Sequence, residues 1–437
     1  LSDSWCRGMT SDMSDGTNEV YYALFQNDQG QKLYQYAYNP ELPLKPEKEL
    51  TVYTLYDQAT INQAATLFQK KHPDTMVSVH VACADTDDKE AETQRNRLMT
   101  SLAAGDGEDV IVLSGLDDNA LAKKGVLMDL SDIVTPMEEN GELLQAIVDG
   151  EKAADGKQQI LPVRFALPLL LSKEKRASEM TDLAALAKAA EQTDGSLLGT
   201  FTGEDLVETF APYFMPDIIK DKQLDTEKLR TVLQELQTIA AHCDMVEKYK
   251  KGERASNEWD LPSAMQAVLC QISGFNDAMF DLAIINLVKG DYTSFENAYI
   301  PTVEIGVNAN TKQADLAKEF AAFVMSREVQ DGDFYDGFPV NKESLHMQVS
   351  LDRSDYAAYT TIEGADGQEI GLDIEPIKAA DADKLEALCD SLSKKTVKDA
   401  KVLEELKKSV PDYLLGRQSL DDTISKIQDG VKIYLAE

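Results

Sequence analysis

The stretch LAAGDGEDVIVLSG puts Gly105 and Gly107 just ahead of an apolar run, a composition that could cradle a phosphate. A dinucleotide cradle needs G-x-G-x-x-G between a strand and the helix after it, so that backbone amides face the pyrophosphate. Here the glycines follow a helical pattern and precede a strand pattern, and Val110 stands where the third glycine belongs. Asp106, Glu108 and Asp109 would also repel a phosphate. The stretch stops a helix and starts a strand. DGDFYDGF, with Asp331, Asp333 and Asp336, hints at a calcium loop, but Tyr335 takes a ligand position, Gly337 falls one late and Lys342 sits where a bidentate glutamate is needed. No G-x-S-x-G elbow, H-E-x-x-H pair or P-loop occurs. Paired acids for glycoside hydrolysis are available in any chain this acidic, so they specify nothing. The reading is therefore not an enzyme, with no cofactor and no metal site.

Composition narrows the partners. The chain has 437 residues, enough for two or three domains, and 43% are hydrophobic, enough for a sizeable core. Its net charge of −34 repels nucleic acid and anionic lipid headgroups, and nucleic acid is excluded as a partner. Cys6, Cys83, Cys243, Cys270 and Cys389 are scattered, without the dense, even pattern of a disulfide framework. The most apolar stretch, LPVRFALPLLLS, is too short for a membrane span and carries an arginine.

The elements that must position any site alternate. Residues 1–18 are polar and turn-rich, expected to lack regular structure. VYYALF, the turn NDQG and KLYQYAYN then read as a β-hairpin with Tyr34, Tyr36 and Tyr38 on one face. PELPLKPEKE reads as a semi-rigid linker. From Leu50 the pattern is strand (LTVYTLY), helix (Ile61, Ala64, Ala65, Phe68), strand (MVSVHVA), helix (RLMTSLAA) and buried strand (DVIVLS). That order predicts an α/β fold with a parallel, doubly wound sheet. Further on, Leu316, Phe320, Phe323 and Val324 form a helical stripe, as do Leu420, Ile424, Ile427, Val431 and Tyr434 behind a capping box of Ser419 and Asp422.

RLMTSLAAGDGEDVIVLSG followed by LAKKGVLMDLSDIV resembles the N-terminal lobe of bacterial extracellular solute-binding proteins, the capture subunits of ABC importers, with Glu108 replacing the usual proline before the "DV" strand. TVYTLYDQATINQAATLFQKKHPDTMVSV, YIPTVEIGVNANTKQADLAKEFAAFVMSREVQ running into GFPVNKESL, and VPDYLLGRQSLDDTISKIQDGVKIYLAE resemble three further blocks of that family, in its order. The resemblance implies a two-lobed periplasmic-binding-protein-like fold with a hinge and inter-lobe cleft, here preceded by the short hairpin. Residues 1–49 would be tail, hairpin and linker; 50–165 plus about 295–315 the first lobe; 166–294 plus about 316–437 the second, with the C-terminal helices.

Ligands of open parallel sheets gather beyond the strands' carboxyl ends, which nominates Leu55, Tyr56 and Asp57 after the first strand and Ser114, Gly115 and Asp117 after DVIVLS. The family often places an aromatic at the cleft floor on its first crossing strand, matched here by Phe165; neighbouring Arg164 could hold a solute oxygen or pair with a structural acid. WDLPSAMQAVLCQISGFNDAMF lacks the family's glycine pattern and offers Trp259, Phe275 and Asn276. Only two tryptophans are present, which weakens a sugar platform, though Tyr213, Phe214 and Tyr292 could substitute. Convergence of Asp57, Asp117 and Glu304 would instead favour a cationic ligand or a metal. The resemblance implies a monomeric extracellular protein held by an N-terminal lipid, taking a small solute, by preference a sugar or oligosaccharide, and serving an ABC permease in the membrane. The alternative is a non-transport ligand-sensing or interaction module of a larger extracellular protein, suggested by the hairpin, which looks like the end of a β-rich domain.

Overall fold

The computed structural model describes residues 5–12, 20–27, 30–37, 46–84, 88–220, 222–351, 358–364 and 367–436. The NDQG turn, Tyr38 and most of the PELPLKPEKE linker fall outside these residues. Two compact units divide the chain. The first takes residues 1–116, 121–128 and 305–332, the second 117–120, 129–304 and 333–437.

In the first unit the expected alternation is present. Strands Lys48–Thr54 and Thr75–Val81 pair in parallel, Val110–Val112 joins the other side of Lys48–Thr54, and Ile305, Gly306 and Val307 run antiparallel to Val110–Val112. The helix Ala59–Lys71 buries Ile61, Ala64, Ala65 and Phe68, one face at helical spacing, and ends two residues before Pro73, which could not continue it. Helix Asp88–Ala103 stops just before Gly105, whose φ of +77° is the left-handed conformation a glycine adopts without strain. Val110, Ile111 and Val112 are all enclosed, as a strand buried on both faces requires.

The hairpin forms, with Val20–Asn27 antiparallel to Gly30–Ala37. Residues 5–12, expected without regular structure, are instead a third strand on Val20–Asn27 with a bulge between Cys6 and Gly8. Cross-strand pairing decided this, and a strand of CRGMTSD composition has no hydrophobic alternation by which to announce itself.

The second unit is built around Leu161–Ser172, whose twelve residues are all buried. Ala267–Ile272, Asp291–Ser294 and Phe338–Pro339 pair antiparallel to it. Ala298 and Tyr299 pair in parallel with Lys394–Lys395. Helices Leu183–Ala190, Gly203–Ile218, Thr226–Ala241, Ala400–Leu414 and Leu420–Ala436 share one core, including Leu206, Phe210, Leu233, Leu236, Leu406, Ile427 and Val431. Their starts are capped by side chains: Asp182 accepts from Ala185 N, Thr202 from Asp205 N, Asp225 from Lys228 N and Asp399 from Val402 N. At the last helix the cap of the expected box forms, with Ser419 Oγ accepting from Asp422 N at 3.1 Å, while the Asp422 carboxylate accepts from the Ser419 hydroxyl at 2.7 Å. Ser419→Ala is expected to cost about 1 kcal/mol, read as a lowered urea midpoint with an unchanged m-value.

The units are bounded differently from the lobes expected from sequence. Residues 129–165 group with the second unit, since Leu161–Ser172 is a single uninterrupted strand. Residues 316–332 group with the first, because Phe320 and Phe323 pack edge-on against Phe68 at 5.3 and 5.6 Å.

Candidate functional site

The carboxyl ends of the first unit's parallel strands carry the nominated residues side by side. Leu55 is buried, Tyr56 and Ser114 are half-exposed, and Asp57 and Gly115 are exposed. Thr54 donates from Oγ1 to the Tyr56 carbonyl at 2.5 Å, which fixes the turn as the chain leaves the strand. Asn62, on the helix that follows, donates to Asp57 Oδ1 at 2.8 Å. Gly115 has φ +79°, and a Cβ there would lie 3.1 Å from Leu55 and 3.4 Å from the Tyr56 ring, so glycine is needed for both conformation and space. Arg95 Nε donates to the Gly115 carbonyl at 2.7 Å and pins the loop. The result is one surface with a half-exposed phenol, a carboxylate and exposed backbone. Such a surface can stack on a flat apolar face and accept hydrogen bonds from hydroxyls.

In the second unit the candidates separate by burial. Arg164 and Phe165 are fully enclosed, the Phe165 ring 5.8 Å from Phe338 and the guanidinium over the Phe334 ring at 5.4 Å. Phe275 is also buried, edge-on to Phe338 at 5.2 Å. Tyr213 packs edge-on against Phe295 at 5.2 Å, with Phe214 buried on the same helix. Tyr292 is buried and its hydroxyl reaches Asp381 Oδ1 at 3.2 Å. These rings are core in this structure and present no open face. Alternation and helical spacing alone do not distinguish a core aromatic from a platform.

Trp259 and Asn276 remain half-exposed. Trp259 lies in the turn Glu258–Asp260, held by a capping box in which Asn257 accepts from Trp259 N and Asp260 accepts from Asn257 N. Its ring is 6.0 Å from Phe280, one helical turn beyond Asn276 on Phe275–Val288 and hence on the same helix face. On that helix Asp281, buried beside the Cys270 thiol at 3.4 Å, has its pKa pushed up to about 8 by burial, with Glu258 adding repulsion.

Each of the acids named as a possible cation-binding group has partners of its own. Asp57 is bonded to Asn62, and Asp117 accepts from Ala120 N at 2.8 Å. Glu304 is buried in a group with Asp118, next in sequence to Asp117, that sequence reasoning missed. Lys395 Nζ donates to Asp118 at 2.9 Å, to Glu304 at 3.1 Å and to Glu151. Burial alone would lower the lysine pKa, but attraction from Glu304, Glu151 and Asp118 outweighs it and holds the ammonium charged. Glu151 is raised well above the carboxylate range, first by burial and then by Glu304 beside it, and burial likewise raises Glu304. The ammonium stands where the three carboxylates would otherwise hold a cation. No local signal in KKT at 394–396 reveals this.

Helix-flanked parallel strands with exposed polar residues at their carboxyl ends place the protein in the α/β class. Residues 54–331 match the family model for bacterial extracellular solute-binding proteins, and the chain belongs to that family. Comparison with curated proteins finds no match. Solved structures share the fold at low identity. A sugar transporter from Rhizobium etli in an open conformation is 14% identical with a TM-score of 0.59, covering 88% of this chain and 99% of its own. An ABC substrate-binding protein from Listeria monocytogenes in complex with cycloalternan is 14% identical, TM-score 0.54, covering 89% and 99%. A maltose/maltodextrin-binding domain from Bdellovibrio bacteriovorus bound to maltotriose is 13% identical, TM-score 0.52, covering 89% and 100%. The fold is thus the two-lobed solute-binding fold, and the family is one of extracellular binding proteins. Among the described residues no helix is long and apolar enough to cross a membrane.

Proposed function

We propose that the protein captures a carbohydrate, most simply an oligosaccharide, outside the cell and hands it unchanged to an ABC permease, acting as a monomer tethered by an N-terminal lipid. The observation that carries this reading is the family match over residues 54–331. It is supported by the oligosaccharides bound to the similar structures from Listeria and Bdellovibrio. The proposed solute contacts are Tyr56, Asp57, Ser114 and Gly115 in the first unit, with Trp259 and Asn276 in the second. Tyr56 supplies a stacking face and Asp57 accepts from hydroxyls. The test is thermal unfolding against mono- and oligosaccharides, amino acids, polyamines and divalent cations. A solute at one hundred times its dissociation constant adds roughly 2.7 kcal/mol, a shift of several degrees. Tyr56→Ala is expected to weaken that binding at least tenfold with little loss of stability. A response to polyamines in place of sugars would overturn the carbohydrate assignment.

One observation favours the second reading, an interaction module. The three-stranded sheet of residues 5–37 exposes Met9 and Leu33 at 70% and 67%, with Tyr21 and Tyr36 also open. Silence across the whole solute panel would move the weight to that reading.

A further inference from the structure

The cage around Lys395 is short of positive charge. Three carboxylates, Asp118, Glu151 and Glu304, bring oxygens within 4.8 Å of one another around one ammonium. Lysine has three N–H donors and all three are used, one on each acid. The Glu151 side chain is 1% exposed and that of Glu304 9%, so water does not dilute the excess negative charge. The second Glu151 oxygen, Oε1, is buried and accepts no hydrogen bond. An ionised carboxylate with one oxygen enclosed and unpartnered carries a large desolvation cost, which a bound proton removes.

The other ionisable groups nearby do not supply the missing charge. Tyr299, the phenol facing the cage, has its hydroxyl 3.2 Å from the Ile147 carbonyl and also beside Glu151, and being neutral it brings no positive charge. Lys152 and Asp149, beside Glu151 in sequence, bond to each other at 2.7 Å, and Lys152 also to Glu138. Lys394 is turned to Asp217 and Glu296 at 2.9 and 3.0 Å. Arg164, on the adjoining strand, lies over Phe334.

We propose that Glu151 and Glu304 retain one proton between them in the folded protein at neutral pH, which makes the cage a pH-sensitive fastening of four chain segments. The fastening holds the short helix Asp118–Lys123, the residues after helix Gln145–Asp149, the strand Ala298–Val307 and the strand Lys394–Lys395. It is tightest in acidic surroundings and loosens as the proton leaves. The sign follows from the raised folded-state affinity: the proton's contribution is complete below the unfolded glutamate value of about 4.3 and is lost as pH climbs through the folded value. Lys395, also raised, stays charged throughout that window.

The test is infrared difference spectroscopy with unfolding midpoints from pH 5 to 9, on the wild type, Asp281→Asn and Asp281→Asn with Glu151→Gln. Asp281→Asn removes a second buried carboxyl, which burial pushes up to about 8. A protonated-carboxyl band at pH 7 should survive Asp281→Asn and vanish on adding Glu151→Gln. The folding equilibrium of the Asp281→Asn protein should weaken with pH, relative to the double variant, by up to tenfold per pH unit within the window. Absence of the band in the wild type overturns the proposal without any cage variant. A band or pH dependence unchanged by Glu151→Gln overturns it equally. If the Glu151 variant does not fold, Glu304→Gln carries the same comparison.

Discussion

Lys395→Met is expected to destabilise the second unit by about 3–5 kcal/mol, the loss typical of removing one partner from a buried ion pair. The methionine fills much of the lysine stem's volume, so packing contributes little to the deficit. What remains is three carboxyl groups within 4.8 Å of one another, with at most a shared proton and no cation among them. The desolvation cost of the buried charge that remains was offset by the ammonium and is now bare. Acid should therefore rescue the variant, because protonating the carboxyls removes the repulsion, and the gap to wild type should narrow between pH 7 and pH 5. Urea unfolding at both pH values measures this. A loss below 1 kcal/mol at pH 7 would mean that the cage contributes no more than an ordinary surface pair.

Phe165→Ala is the second large effect, at about 3–5 kcal/mol, since truncating an enclosed phenylalanine forfeits transfer energy and leaves a cavity. Phe165 is wholly buried, lies directly across the ladder from Phe338, and has that ring at 5.8 Å. Trp259→Ala removes a half-exposed ring from a turn and should cost far less stability. The pair separates two roles that the sequence left confounded. Phe165 was the aromatic that the family resemblance put at a cleft floor, whereas its burial predicts a structural loss. Unfolding midpoints and solute affinity, measured together on both variants, decide between these roles. Reduced affinity in Phe165→Ala at unchanged stability would restore it as a platform.

Much of the architecture was legible because its signals are local. The stripe Ile61, Ala64, Ala65 and Phe68, the stop at Pro73, the turn at Gly105 and the Ser419 cap on Asp422 N each act within a few residues. Each has the outcome that propensity and capping dictate. Ordered blocks of this kind also carried the family resemblance, which the match over residues 54–331 bears out. The loop after Val110–Val112 was readable for the same reason: a buried parallel strand must deliver its next residues to the sheet's carboxyl edge, and Ser114 and Gly115 lie there.

The sequence by itself determined the alternation of strands and helices, the caps that start the helices, the absence of a phosphate cradle at Gly105 and the family to which the chain belongs. Only the tertiary structure decided which aromatics are enclosed, since Phe165, Tyr213 and Phe275 differ from Trp259 in what packs over them and not in their own spacing. It also decided that residues 5–12 form a strand, because the ladder partner supplies what their composition lacks. The Lys395 cage is the furthest case, drawing on acids 277, 244 and 91 residues away in sequence. Periodicity reports which way a side chain faces from its own element. Charge compensation in a core depends on what distant elements bring to the same point, and that is fixed only when they pack.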